Sequence, residues 1–205
     1  MSATGARIAP LPIDGWDDDA VAALRAAFGE DAAERLLSTE AGGPRMPNVL
    51  PTLLRHPALT GPFLAYNAVL LNAPTIEPRA RELMILRVAW RTRSAYEWAQ
   101  HVRIARSCGI TAAEVDAVAH GAVADTWSSF DADLLTATDE LLDDYRIDDD
   151  TWARLADHLD ERQLIEVAFI VGTYTCLAMA FNSFGLELDP ELQGTALPPP
   201  ADTKA

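Results

Sequence analysis

Between Pro78 and Trp90 the chain carries Leu83, Met84, Ile85, Leu86, Val88 and Ala89, so a helix there is apolar almost all the way round. Such a helix cannot lie on a surface; other helices must enclose it. No segment alternates apolar and polar residues for more than a few positions, so no strand is signalled. The expected fold is therefore all-α, a single-domain helical bundle built around this segment.

Other elements follow from periodicity and punctuation. Residues Ile8 to Asp14 read as extended, broken by Pro10 and Pro12, and Asp14 or Trp16 opens a helix with Val21, Leu24, Ala27 and Phe28 on one face. Ala32 to Leu37 form a second short helix, and Gly42, Gly43, Pro44 and Pro47 a loop. Asn48 caps a helix that His56-Pro57 ends, and a longer one runs from about Pro62 to Asn72. Ser94 stands as the N-cap of a helix that stops near Cys108-Gly109, and Thr111-x-x-Glu114 signals a capping box. Phe130 to Tyr145, Asp148 to Leu159 and Glu161 to Phe184 complete the bundle. The expected organisation is an N-terminal extension with short helices (1–47), a helical domain (48–188), and an extended or disordered tail (189–205) containing Pro198-Pro199-Pro200.

A formal charge of −15, from 31 acidic and 16 basic residues, repels phosphates and anionic lipid, so neither nucleic acid nor membrane is expected as a partner. The most apolar stretch, Val167 to Phe184, includes Gly172, Thr173, Tyr174, Thr175, Asn182 and Ser183, and reads as a buried core helix rather than a membrane span. Met1 to Pro12 lack a charged start followed by an apolar run, which points to the cytoplasm. The two cysteines, Cys108 and Cys176, have neither metal nor redox spacing.

The chemistry lies in a helix-spaced stripe. Ser94, Glu97 and His101 fall three and four residues apart and share a face, with Trp98 beside it. Glu82 sits one helix earlier, inside the apolar segment. Two carboxylates, an imidazole and a hydroxyl in an apolar setting suit proton transfer, because neighbouring acids have their pKa values driven apart. The same residues have plainer readings: a solvated Glu97–His101 pair, Glu82 bridged to Arg79 or Arg87, and Ser94 as a simple cap.

The segment Arg81 to His101 resembles the core motif of the carboxymuconolactone decarboxylase and alkylhydroperoxidase D-like superfamily, whose redox members carry a Glu, a Cys-x-x-Cys and a His. Glu82 and His101 match the Glu and the His, while Ser94 and Glu97 stand at the two cysteine positions. The resemblance is strongest from Pro57 to Gly109. It implies the all-α fold, homo-oligomers (dimer, trimer or hexamer), and no cofactor or metal. It also implies a cofactor-free acid/base enzyme that decarboxylates or isomerises a small carboxylated lactone or related acid. On that reading His101 is the general acid/base, Glu97 its orienting partner and Glu82 a second proton carrier. Arg87 would anchor a substrate carboxylate, and Ser94, Tyr66 and Trp98 would line the pocket. The alternatives are a non-catalytic oligomeric binding protein on the same fold and, with the dithiol absent, a peroxidase-related protein.

Overall fold

The computed structural model describes residues 5–38 and 45–200, and among them every regular element is helical. The expected loop at Gly42, Gly43 and Pro44 and the last five residues of the tail lie outside the described residues. The helices are α1 (Asp18–Phe28), α2 (Glu30–Leu37), α3 (Val49–Leu53), α4 (Pro57–Asn72), α5 (Pro78–Arg91), α6 (Ala95–Ser107), α7 (Ala112–Ala117), α8 (Ser129–Asp143), α9 (Asp149–Ala156) and α10 (Glu161–Phe184). Three short 3-10 segments accompany them: Ile13–Gly15, Val118–Val123 and Pro190–Leu192.

The chain divides into two compact units: Met1–Ala73 with Ser183–Glu191, and Pro74–Asn182 with Leu192–Ala205. Within the first unit, α3 and α4 pack with α1. In the first unit Ala20, Ala23, Leu24, Ala33, Leu50 and Leu54 form the core. Gly61 makes the close α1–α4 approach possible, since a Cβ there would meet the Ala23 Cβ at 3.3 Å. Helix α4 begins at Pro57 rather than near Pro62, because proline is well suited to a first helical turn, where no N–H is needed.

The second unit is built around α5. Ten consecutive residues, Ala80 to Ala89, are buried, as the sequence required. Leu83, Leu86, Trp98, Val102, Ala105, Ile110, Val118 and Leu135 form one apolar cluster around it. Within this unit, the Glu166 carboxylate of α10 accepts from the Thr75 and Ile76 N–H groups. Arg79 ties the start of α5 to Glu114 and Asp131.

Two expectations change here. The tail is not wholly extended and free: Asp189 is buried and accepts from the Asn48 N–H at 2.7 Å. Further on, Leu197 packs on the α5–α6 cluster, Trp98 Nε1 donates to the Ala196 carbonyl and Arg93 to that of Pro198. Nor is α10 buried all round: Ile165, Phe169 and Met179 are 58%, 51% and 61% exposed. By length and composition α10 is apolar enough to cross a membrane, with half of its apolar stretch buried inside the protein.

Candidate active site

The turn between α5 and α6 sets the site. Arg93 adopts a left-handed backbone (φ 57°), so the Arg93 N–H returns to the Trp90 carbonyl and the Ser94 N–H to that of Ala89. This closes α5 in the manner of a Schellman motif. It also removes the N–H that Glu97 would need for a capping box. Ser94 holds the N-cap position of α6, but its side chain makes no capping bond. The contrast is Thr111 and Glu114, where the same spacing yields a complete capping box. There Arg79, opposed by partial burial and helped by Thr111, brings the Glu114 carboxyl down to about 2. Freed from that geometry, Ser94 and Glu97 turn into the protein, 0% and 2% exposed.

Glu82 and His101 form the centre. Glu82 Oε2 lies 2.7 Å from His101 Nδ1, and its other oxygen accepts from Arg81 Nε at 2.9 Å. Glu82 is fully buried and His101 is 7% exposed. Burial pushes the Glu82 carboxyl up, but the hydrogen bonds and charges of His101 and Arg81 together outweigh it and hold the group below its ordinary range. As a carboxylate Glu82 can only accept, so Nδ1 carries a proton and Nε2 is the nitrogen left for chemistry. Tyr174 of α10 walls the imidazole edge-to-face, with centroids 4.9 Å apart at 90°. Burial, reinforced by Glu82 and Glu97, drives its phenol far up, so it remains protonated.

Glu97 is the opposite acid. Burial raises its carboxyl from 4.5 to about 8, and the neighbouring Ser94 hydroxyl pulls it back only in part. Neither Glu97 oxygen nor the Ser94 Oγ meets the geometry of a formed hydrogen bond. One acid is thus charged and paired, the other neutral and unpaired, which is the division of labour that acid/base sites require.

The expected site residues separate accordingly. Glu82, not Glu97, orients His101, and the Glu82 partner is Arg81 rather than Arg79 or Arg87. Arg87 is committed elsewhere: its guanidinium donates twice to Asp139 at 2.8 Å and to the Val118 and Ala119 carbonyls, over the Trp90 ring. A buried arginine with its donors so engaged offers no fork to a substrate carboxylate. Trp98 buries its ring in the α5–α6 cluster and gives its N–H to the tail. Tyr66 belongs to the first unit, on α4 beside Phe63. Arg81 and Tyr174 were not foreseen. Arg81 had a signal in its adjacency to Glu82; Tyr174 had only a polar tip inside an otherwise apolar run. No cluster of three or more His, Cys, Asp or Glu side chains placed to hold a metal ion occurs among the described residues.

Residues 57–140 match the model of the carboxymuconolactone decarboxylase family, which spans α4 to α8 and includes Glu82, Glu97 and His101. Over that stretch the sequence is similar to the family, and the fold is the alkylhydroperoxidase D-like helical fold. Solved structures of this fold include the debrominase Bmp8 in complex with 2,3,4-tribromopyrrole, with TM-score 0.71 and 14% identity over 94% of this chain and 96% of that one. A peroxidase-related protein from Ralstonia eutropha JMP134 gives TM-score 0.69 and 19% identity over 90% and 94% of the two chains. An Agrobacterium tumefaciens protein described as a putative antioxidant defence protein gives 0.61 and 15% over 66% and 93%. At these identities the likeness is one of fold. Among curated proteins, none matches the chain in sequence. This chain has no cysteine on the α6 stripe: Cys108 is half-buried at the α6 C-cap and Cys176 is exposed on α10.

Proposed function

We propose that the protein is a cofactor-free acid/base enzyme acting on a small carboxylated lactone or related acid, by decarboxylation or isomerisation. The observation that carries this reading is the buried 2.7 Å contact between Glu82 and His101 Nδ1, which presents Nε2 as a proton carrier. In isomerisation, Nε2 takes a proton from carbon, the C–H pair becomes a C=C bond, and the carbonyl oxygen receives the displaced pair; return of the proton to another carbon completes the step. In decarboxylation, the carbon–carboxylate bond breaks, carbon dioxide leaves its electron pair on the enolate, and His101, having first taken up a proton from water at Nε2, delivers that proton to the carbon. Glu82 and Arg81 keep the ring oriented throughout, and general acid/base catalysis of this kind contributes about 10²–10⁴-fold. Bmp8, on the same fold, holds a small flat ring, so rings of that size make sensible first candidates.

The test screens small lactones and unsaturated acids for deuterium uptake from heavy water or release of carbon dioxide. His101→Ala should abolish turnover and Glu82→Gln reduce it about a hundredfold, both with unchanged circular dichroism. Retained turnover in His101→Ala ends the assignment.

We also propose assembly as a homo-oligomer. It is favoured by the exposed Ile165, Phe169 and Met179 on α10, a helix with no charged residue from Val167 to Phe184. Phe169→Glu should yield a smaller species by sedimentation; an unchanged mass would oppose it. Loss of chemistry with the fold retained, a binding protein alone, would show as no turnover with any candidate.

A further inference from the structure

Among the described residues, five buried side-chain N and O atoms have no hydrogen-bond partner, and three of them are Ser94 Oγ and the two Glu97 oxygens. The others, Asn67 Oδ1 and Trp90 Nε1, belong to separate helices. An unpaired polar group in a buried interior is costly, so three within one helical turn call for an occupant. The turn at Arg93 explains how they become available: the Ser94 N–H is held by Ala89, and the capping box that would have satisfied both side chains cannot close.

The chemistry of the occupant follows from what the groups can give. A neutral carboxyl and a hydroxyl each have one O–H to donate. Both start one turn from each other on α6, on the face that carries His101. A cation is unsuited, because neither group is charged when the carboxyl keeps its proton. Arg87 is engaged with Asp139 and Arg81 with Glu82, so no free guanidinium among the site residues calls for a carboxylate. What remains is an oxygen that gains negative charge.

Resting on the acid/base reading above, we propose that Ser94 and Glu97 form a two-donor cradle for a single substrate oxygen, the one that becomes the enolate when a proton or carbon dioxide leaves the adjacent carbon. As the electron pair moves onto that oxygen, both O–H bonds stay intact and their hydrogen bonds to it shorten. The arrangement is of the oxyanion-hole kind, with donors fixed in advance in a water-poor site. The substrate class is thereby narrowed to compounds with a carbonyl beside the reacting carbon, such as a lactone, whose carbonyl faces α6.

The probes are 4-nitrophenol, whose phenolate oxygen imitates an enolate, and 4-nitroaniline, which has the same outline but an amino group in place of that oxygen. Wild-type protein should bind 4-nitrophenol at least tenfold more tightly than 4-nitroaniline, measured by calorimetry and by the absorbance shift of the phenolate. Ser94→Ala and Glu97→Leu should each weaken 4-nitrophenol about tenfold and leave 4-nitroaniline unchanged, whereas Glu97→Gln, which still donates through its amide, should lose less. Equal affinity for both probes, no binding of either, or unchanged 4-nitrophenol affinity in all three variants would overturn the cradle. Should the probes fail while His101→Ala abolishes turnover, the cradle falls and the acid/base reading stands. Should the probes succeed while His101→Ala remains active, the reverse holds.

Discussion

Replacing Glu97 with Gln exposes the energetics of the site. In the folded protein the Glu97 carboxyl is raised to about 8 by burial, against 4.5 in the unfolded chain. Below pH 4.5 both states hold the proton and the group contributes no pH dependence. Between 4.5 and about 8 the unfolded chain has released it while the native protein keeps it. The native state then binds more protons, so stability falls as pH rises. At about 1.4 kcal/mol per pH decade, this window amounts to about 5 kcal/mol, a large part of the stability of a domain of this size. Glu97→Gln keeps the shape and removes the titration. Urea unfolding followed by circular dichroism from pH 5 to 8 should show wild type losing stability relative to the variant by several kcal/mol. Glu82 and Glu114 do not confuse the comparison: both are shifted down, so their contributions are lost only as pH falls below the ordinary carboxylate range. Parallel profiles for the two proteins would refute the claim that Glu97 is held neutral in a dry site.

Arg87→Met should destabilise by about 3 kcal/mol, since it leaves Asp139 with Arg91 alone and takes the guanidinium donor from the Val118 and Ala119 carbonyls; thermal unfolding reads this out. Gly121→Ala should cost about 2 kcal/mol or more, because φ is +66° there and a Cβ would stand 2.8 Å from Arg87 Nη2, which Asp139 holds in place. Thr111→Ala should cost about 1 kcal/mol through loss of the α7 capping box. Truncation after Gly194 removes the Ala196 and Pro198 carbonyls and Leu197, and should speed hydrogen exchange at Trp98 Nε1.

Much of the architecture was legible because burial leaves its mark on sequence. The all-round apolar Pro78–Trp90 segment demanded a central helix, and Thr111-x-x-Glu114 announced its own box. The site was half legible. Spacing brought Ser94, Glu97 and His101 to one face, and the family pattern pointed to Glu82. What spacing could not give was the allotment of partners. Glu97 precedes His101 by one turn on the same helix, yet the tight bond goes to Glu82 on the neighbouring helix, because only an interhelical contact delivers a carboxylate to Nδ1 here. Arg87 looked free because its partner, Asp139, lies 52 residues away in sequence. The tail looked disordered from its prolines, while its anchoring depends on carbonyl oxygens that any residue type supplies. The failed capping box at Ser94 and Glu97 hinged on a left-handed arginine, a conformation the sequence does not advertise.

The measurement that bears most directly on the whole account is long-range ¹H–¹⁵N NMR of His101, assigned by comparison with His101→Ala. The neutral ring should carry its proton on Nδ1, with a slowly exchanging, strongly hydrogen-bonded signal that disappears in Glu82→Ala. A ring protonated on Nε2, or a signal indistinguishable from that of a solvent-exposed histidine, would contradict it.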